Sequence, residues 1–411
     1  MILGINYAPE PTGIAPYTAG MAAGLAQRGH EVTVLTGYPH YPYWRHDSGV
    51  RHFRSEEVID GVHVHRLRHP VPSKLSWMGR AMMEMTFGLQ LLVSKWGRPD
   101  VVICVSPALL ATAMAAVRTR MTWRRPALGV LVQDIYSRGL AETAVASGCS
   151  ARTIAKLESV ALQLSDGVSV IHTGFAEDLA AHLSVDSQRI RAIPNWTHIG
   201  SPDPSASAEF RDERGWAPDE LIVLHAGNMG YKQGLENVVA AARLAHQQNS
   251  RVRFVLLGDG NQRADLEDAA ADLPTIEFLP PVAEKEFPAA LGAADVLLVN
   301  ERQGVARMSV PSKLTSYFTS GRPILAATDA TGFTASELAA SGAGVCVPAD
   351  RPDLLLSEAI RLGSDRKLSE QLGAAGLHYC SNMLSQGVAL DRYEQWVVDL
   401  DAMRAARNRH G

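Results

Sequence analysis

A stretch near the middle of the chain, residues 221–245, constrains the fold most. Leu221–Leu224 is an apolar run of mostly branched side chains, which is the pattern of a strand buried on both faces. Three glycines then interrupt the run, and apolar residues recur at helical spacing as far as Ala245. A buried strand, a glycine turn and a helix form half of a βαβ unit, so the stretch predicts an α/β domain with a parallel sheet.

Two lysines stand at turns of this kind. Lys232 lies in the turn just described, and Lys313 lies in Val310–Lys313, ahead of a second helical pattern. The start of a helix offers unpaired amides and the positive end of a dipole, which favour an anion. A solvated loop lysine is the ordinary interpretation of one such turn, but the pair indicates a diphosphate held between them. No GxxxxGK[ST] motif occurs, which argues against a P-loop NTPase.

The N-terminal half opens with the same alternation. A strand at Met1–Ile5, a proline-rich loop with Gly13, a helix and a strand at Val32–Thr36 predict a doubly wound sheet, whose ligands bind at the carboxyl ends of strands. Gly13 would let backbone approach a ligand closely, or would be a plain turn glycine. Asp134 follows a buried strand, so we expect it at the ligand edge; capping a turn is its ordinary role.

The chain of 411 residues is long enough for two domains. We predict an N-terminal domain over residues 1–198 and a C-terminal domain over 208–385. Gly200–Ser207 has the composition of a linker between them.

Composition favours a protein of the cytoplasm. The four cysteines lie far apart without a CxxC pair, which argues against a disulfide framework or a zinc site. The start of the sequence lacks the pattern of a signal peptide, and no apolar run of about 18 residues predicts a membrane-spanning helix.

Residues 40–125 contain 13 basic and 6 acidic side chains, a net charge of +7. The basic segment 68–80, which contains Trp77, and the cluster 118–125 favour weak association with an anionic membrane surface. This would place the protein peripherally on the inner face of the cell membrane. A packed helix with an exposed basic start is the other interpretation, and nucleic acid is not an expected partner.

Several motifs together resemble one family. NYAPEPTGIAPYTAG, VQDIY, IPNW, HAGNMGYKQGLENVV, LLGDG and VPSKLTSYFTSGRPILA are similar to those of GT-B glycosyltransferases of the GT4-type retaining group, in its colanic-acid, WcaI-like subfamily. The resemblance implies two Rossmann-like doubly wound domains facing an interdomain cleft, with the last helix, at about 386–411, crossing back to join the N-terminal domain. It also implies metal-independent transfer from a UDP- or GDP-sugar, bound by the C-terminal domain, to a saccharide or lipid-linked acceptor, with no cofactor.

The resemblance also assigns residues. Asp134, Lys232 and Lys313 take catalytic roles, and no residue is assigned to a metal. The donor-binding set is Gly13, Gly227, Asn228, Lys232, Gly258, Pro281, Glu301, Ser309, Val310, Ser312, Lys313 and Ser316. The E-x7-E motif of the wider family is not intact, because Met308 and Ser316 stand where its glutamates would lie. Two other functions remain open: a nucleotide-sugar epimerase of the same fold, and a non-catalytic membrane-associated subunit of a polysaccharide assembly complex.

Overall fold

The structure, a computed structural model, describes residues 1–11, 13–41, 44–46, 52–72, 77–135, 137, 149–304 and 313–410. The chain divides into two units. Met1–Asn195 and Gly387–Gly411 form unit 1, and Trp196–Gln386 forms unit 2. Each unit is a largely parallel sheet with helices between its strands, so the expected pair of doubly wound α/β domains is confirmed.

Unit 1 contains an eight-stranded sheet in the order β3-β4-β2-β1-β5-β6-β7-β8. Its strands are β1 (Ile2–Leu3), β2 (Thr33–Gly37), β3 (Arg54–Ile59), β4 (Val62–Leu67), β5 (Val101–Ser106), β6 (Ala127–Val132), β7 (Gly167–Val170) and β8 (Ile190–Ala192). All neighbours pair in parallel except β3 and β4. Strand β1 pairs with both β2 and β5, so the strand order reverses beside it.

Unit 2 contains a six-stranded, fully parallel sheet in the order β11-β10-β9-β12-β13-β14. Its strands are β9 (Leu221–Ala226), β10 (Val252–Leu257), β11 (Ile276–Leu279), β12 (Val296–Asn300), β13 (Ile324–Ala327) and β14 (Gly344–Val347). The order reverses between β9 and β12. Ligands of open α/β sheets bind outside the carboxyl ends of the strands at such a reversal.

Helices alternate with the strands in both units. They are α1 (Ala15–Gln27), α2 (Trp77–Val93), α3 (Leu109–Met121), α4 (Cys149–Gln163), α5 (Thr173–Leu183), α6 (Pro204–Glu213), α7 (Glu236–Gln247), α8 (Arg263–Ala269), α9 (Phe287–Ala293), α10 (Lys313–Phe318), α11 (Phe333–Ser341), α12 (Pro352–Ser364), α13 (Arg366–Met383) and α14 (Gln386–His410). In unit 2, α7 and α12 contribute to the core on one face of the sheet, and α6, α9 and α10 to the core on the other.

The last helix, α14, packs within unit 1. Its Trp396 is buried and lies so close to Gly129 that a Cβ there would be 2.8 Å from the indole ring. Ion pairs fix its two ends, with Arg28 to Asp391 at 2.7 Å and Arg407 to Asp166 at 3.0 Å. The C-terminal segment therefore returns to the sheet of the N-terminal half, as the resemblance implied.

One local prediction is wrong, and one strand was not predicted. The predicted linker Gly200–Ser207 runs into helix α6, whose start is capped by Asp203 accepting a hydrogen bond from the Ser205 amide at 2.8 Å. Proline at the first helical position and an aspartate before it are helix-start signals, which the linker composition concealed. The antiparallel strand β3 was not predicted, because its sequence RSEEVI is mostly polar and its side chains mostly exposed.

Candidate functional site

The carboxyl edge of the unit 2 sheet brings two glycine turns into direct backbone contact. The Gly227 amide donates to the Leu257 carbonyl at 2.8 Å, and the Met229 amide donates to the Asp259 carbonyl at 2.8 Å. Gly227 and Gly258 adopt φ values of 132° and 143°, which favour glycine. A Cβ on Gly258 would overlap the Gly227 carbonyl oxygen. Gly258 therefore lets the turns after β9 and β10 approach each other.

Lys313 reaches from the first residue of α10 to the end of β9. Its Nζ lies 3.2 Å from Nε2 of His225, and 3.8 Å from the position that a Cβ on Gly227 would occupy. The side chain is half-buried, and burial lowers the pKa of the ammonium to about 8, against the raising effect of Glu301. Within the part of unit 2 that the structure describes, no carboxylate forms an ion pair with it.

Glu301, just beyond β12, is held by two threonines. Its carboxylate accepts hydrogen bonds from Thr328 at 2.5 Å and Thr334 at 2.8 Å. Burial nevertheless raises the pKa of Glu301, although both hydrogen bonds and Lys313 act in the opposite direction. The shifts of Glu301 and Lys313 both follow burial, so desolvation outweighs the attraction between them.

Lys232 lies on a 3-10 turn, Tyr231–Gln233, and its side chain is exposed. Helix α7 begins only at Glu236, so Lys232 lies in the turn between β9 and the helix, where the sequence predicted it. Arg302 supports this turn: its amide donates to the Lys232 carbonyl at 2.9 Å, and its guanidinium lies 4.0 Å from the centre of the Tyr231 ring. The guanidinium also pairs with Glu236 at 2.7 Å.

The remaining predicted donor residues are more scattered. Asn228 is exposed beside the Gly227 turn, Pro281 is exposed two residues beyond β11, and Ser316 is buried on α10. Ser309, Val310 and Ser312 lie outside the described residues.

The structure brings together four of the predicted residues, namely Gly227, Gly258, Glu301 and Lys313. It places Gly13 and Asp134 in unit 1. Gly13 is exposed with a φ of 70°, next to the ring of Tyr41, and Asp134 is exposed two residues beyond β6.

Sequence reasoning missed two residues that complete this edge. His225 is fully buried at the end of β9, and burial with the nearby Lys313 ammonium holds the pKa of its imidazole well below the ordinary value. The Tyr317 hydroxyl accepts from the Ala226 amide at 2.8 Å and lies 3.3 Å from the Leu298 carbonyl, so it bridges β9 and β12. A single histidine in the apolar run LIVLHA was the available signal for His225.

A polar cluster occupies the carboxyl edge of unit 1. The buried carboxylate of Glu10 accepts hydrogen bonds from the amides of His40 and Tyr41 at 2.8 and 2.9 Å, which joins the loops after β1 and β2. The rings of His40 and His69 are 4.9 Å apart. Burial lowers the pKa of both, that of His69 to about 3, so both are neutral near pH 7.

Neither a metal-binding cluster nor a membrane-spanning helix is found among the described residues. No group of three or more histidine, cysteine, aspartate or glutamate side chains there is arranged to hold a metal ion. No helix in these ranges combines the length and the apolar character needed to span a bilayer.

Comparison with known families covers both units. Residues 12–196 match the glycosyl transferase 4-like domain, and residues 206–378 match the glycosyl transferases group 1. The putative colanic acid biosynthesis glycosyl transferase WcaI of Escherichia coli K12 is 30% identical over 334 residues, which are 78% of this chain and 81% of the relative. The probable glycosyltransferase WbjE of Pseudomonas aeruginosa is 30% identical over 57% of this chain and 59% of its own.

Solved structures share the fold over nearly the whole chain. Anabaena HepE in complex with UDP superposes with a TM-score of 0.71 at 14% identity, covering 97% of this chain and 99% of that chain. Sucrose-phosphate synthase from Thermosynechococcus elongatus superposes with a TM-score of 0.72 at 17% identity, covering 98% and 99%. With both family domains, a relative of 30% identity and this architecture, the chain belongs to the GT4-type glycosyltransferases of the GT-B fold.

Proposed function

We propose that this glycosyltransferase moves a sugar from a UDP- or GDP-sugar to a hydroxyl of a lipid-linked saccharide or another glycan precursor. The reaction would retain the anomeric configuration and need no metal. The name of the E. coli relative refers to colanic acid biosynthesis, and HepE has been solved with UDP and with UDP-glucose, which supports a nucleotide-sugar donor and a glycan product.

The main support for this proposal is the environment of the Lys313 ammonium. A half-buried ammonium beside a glycine turn, with no ion pair among the described residues, costs the free protein stability. A diphosphate bound over Gly227 would supply the missing anion. It would also place the cation where negative charge grows as the nucleotide leaves, which is the electrostatic term that usually contributes most to catalysis.

In the proposed reaction the bond between the sugar C1 and the β-phosphate oxygen breaks, and the acceptor oxygen bonds to C1 on the same face. The acceptor proton passes to the departing phosphate. Lys313 and Lys232 neutralise the diphosphate, and Asp134 positions the acceptor. Lysines thus take the place that a divalent cation has in metal-dependent transferases.

Three lysine variants test this assignment. We expect Lys313→Ala to lower the transfer rate by roughly 10²–10³-fold, in line with the loss of one preorganised charge at a transition state, and Lys232→Ala to lower it less because its side chain is exposed. Lys367→Ala is the matched control: it removes the same charge from an exposed position in the first turn of α13, away from the site. Transfer at the wild-type rate by both site variants would refute the assignment.

The same assay examines the type of reaction. Nuclear magnetic resonance of the product reports whether the anomeric configuration of the donor is kept, and chelator should leave the rate unchanged. With acceptor omitted, we expect only slow hydrolysis of the donor. Epimerised donor under those conditions would instead indicate an epimerase.

We also propose that unit 1 docks on an anionic membrane, where a lipid-linked acceptor would reside. The exposed apolar side chains of α2 recur at a spacing that places them along one face of the helix. They are Met78, Met82, Met85, Leu89, Leu92 and Val93, each between 37% and 72% exposed. Beyond α3, which packs on α2, Trp123 is 99% exposed.

Charge supports the same surface. Exposed basic side chains lie near the C-terminal ends of the two helices: Lys95, Arg98, Arg120 and Arg124. The ends of the two helices are in contact, because the guanidinium of Arg118 on α3 lies 4.1 Å from the centre of the Trp96 ring, just beyond α2. Glu84, the one acidic residue of α2 and α3, is buried. Apolar residues with a basic rim fit the boundary of an anionic bilayer, where each basic group near the surface contributes about 1 kcal/mol.

Vesicle flotation tests the membrane proposal. We expect binding to vesicles with anionic lipid, weakened by salt, and little binding to vesicles of phosphatidylcholine alone. Trp123→Ala with Arg124→Glu should lower the bound fraction several-fold, whereas Val398→Ser with Arg366→Glu, at exposed positions of α14 and α13, should not. Equal binding to both kinds of vesicle, or equal loss in the control, would contradict this proposal.

A further inference from the structure

His225 carries no role in the function proposed above, although it lies at the centre of the site. It is the fifth residue of β9 and has no exposed surface. Strand β9 stands where the strand order reverses, and the turn that begins at Gly227 follows two residues after His225. Apolar packing alone does not explain a polar histidine with no exposed surface at the carboxyl end of a central strand.

We propose that His225 is a positioning residue for the donor diphosphate: its neutral imidazole accepts a hydrogen bond from Lys313 Nζ and holds the ammonium beside Gly227. The inference rests on the proposed function, because it assumes that Lys313 binds the diphosphate. It adds a residue that neither the motifs nor the comparisons assign.

The geometry supports this role. Lys313 begins α10, whereas His225 ends β9, so the 3.2 Å contact joins two elements that are far apart in sequence. An ammonium has only donors, so His225 must accept through Nε2 and carry its proton on Nδ1. The flexible stem of a lysine has many conformations in water, and a fixed acceptor selects one of them.

Electrostatics keep the imidazole in the accepting form. Burial and the Lys313 ammonium lower the pKa of His225. Together they outweigh the backbone groups of Asn228 and Leu298, which raise it. The other titratable groups packed around the pair are Glu301, with Asp329 behind it, and Tyr317, whose pKa is raised by burial. A protonated His225 would face Lys313 as a second cation, so the pair shares one positive charge.

This arrangement gives the pair a pH signature. A bound diphosphate favours charged Lys313, so nucleotide affinity should decline as the pH rises through about 8, the pKa of Lys313 in the free protein. Removing the acceptor takes a hydrogen bond from the charged form. The decline should then begin at lower pH, which a purely structural role of His225 would not produce.

Titration calorimetry with UDP and GDP between pH 7 and 9.5 tests the inference on the full chain. We expect His225→Leu to weaken nucleotide binding about tenfold at pH 7.5, the factor that corresponds to one hydrogen bond to a charged group, and to move the decline to lower pH. His225→Gln retains an acceptor and should bind within about threefold of wild type. His246→Leu, at an exposed position in the last turn of α7, is the matched control.

Failure of the proposed function and failure of the role of His225 give different results in this experiment. If wild type binds neither nucleotide, the proposed function fails. If Lys313→Ala weakens binding but His225→Leu matches wild type in affinity and pH dependence, only the role of His225 is refuted. Should His225→Leu fail to fold, His225→Gln decides: binding close to the wild-type value supports an acceptor role, and a loss as large as that of Lys313→Ala overturns it.

Discussion

Replacing Lys313 by methionine should remove a charge that is unfavourable in the free protein, and its effect on stability should depend on pH. Methionine keeps the length of the side chain and removes the charge. In the folded protein the pKa of Lys313 is about 8, against an ordinary value of 10.5, so the charged form is penalised. The penalty is fully present below pH 8 and fades as the pH rises from 8 to 10.5.

The magnitude follows from these two values. Because one pKa unit corresponds to about 1.4 kcal/mol, the penalty is roughly 3 kcal/mol at pH 7 and roughly 1 kcal/mol at pH 9.5. Methionine leaves Nε2 of His225 without a donor, which costs about 1–3 kcal/mol at either pH. The constant cost cancels in the difference between the two conditions. The stability of Lys313→Met relative to wild type should therefore fall by roughly 2 kcal/mol between pH 7 and 9.5.

Urea unfolding of the ligand-free protein at pH 7 and 9.5 measures this change. Lys367→Met, which removes an exposed charge from the first turn of α13, is the matched control. If the stability difference between Lys313→Met and wild type is the same at both pH values, Lys313 has an ordinary pKa. Burial would then not penalise the Lys313 ammonium, and the free protein would gain nothing from an anion beside it.

Three further substitutions, measured by thermal unfolding, test packing and hydrogen-bond contacts within the two units. Gly258→Ala should destabilise unit 2 by several kcal/mol, because its Cβ would overlap the Gly227 carbonyl, whereas Gly215→Ala, with a φ of 64° and open space around it, should cost only about 1 kcal/mol. Trp396→Ala should cost about 3–5 kcal/mol by emptying the contact with Gly129, and the exposed Val398→Ala well under 1 kcal/mol. Glu10→Gln should cost about 1–3 kcal/mol, since its Oε2 accepts from Asn6 at 2.9 Å while Oε1 accepts two amides, and an NH₂ group cannot replace either oxygen. Equal effects in the glycine pair or the α14 pair, or an unchanged melting temperature for Glu10→Gln, would contradict these contacts.

The sequence predicts the sheets well because their strands are buried on both faces. Continuous apolar runs such as Leu221–Leu224 and Ala127–Val132 have few alternatives to a central parallel strand. Strand β3 escaped prediction for the opposite reason, since an exposed edge strand of charged residues has no apolar pattern. Helix α6 was obscured by its serines and prolines, although Asp203 and Pro204 signal its start.

Only those site residues that belong to a sequence motif could be predicted. Lys313 and Gly227 belong to sequence patterns, but the partners of Glu301 lie 27 and 33 residues away, and His225 meets Lys313 across 88 residues. Contacts of this kind depend on which strands are neighbours, and strand order cannot be read from local spacing. The Gly258 turn shows the same limit, because its close approach to Gly227 is visible only after β9 and β10 are paired.

Our main proposal is that the carboxyl edge of unit 2 holds the donor diphosphate through Lys313. An experimental structure with UDP or GDP tests it directly. We predict pyrophosphate oxygens at about 3 Å from Lys313 Nζ, the length of a charge-assisted hydrogen bond, and over the Gly227 turn. A nucleotide bound elsewhere, or Lys313 still turned to His225 with no phosphate oxygen within reach, would contradict the account.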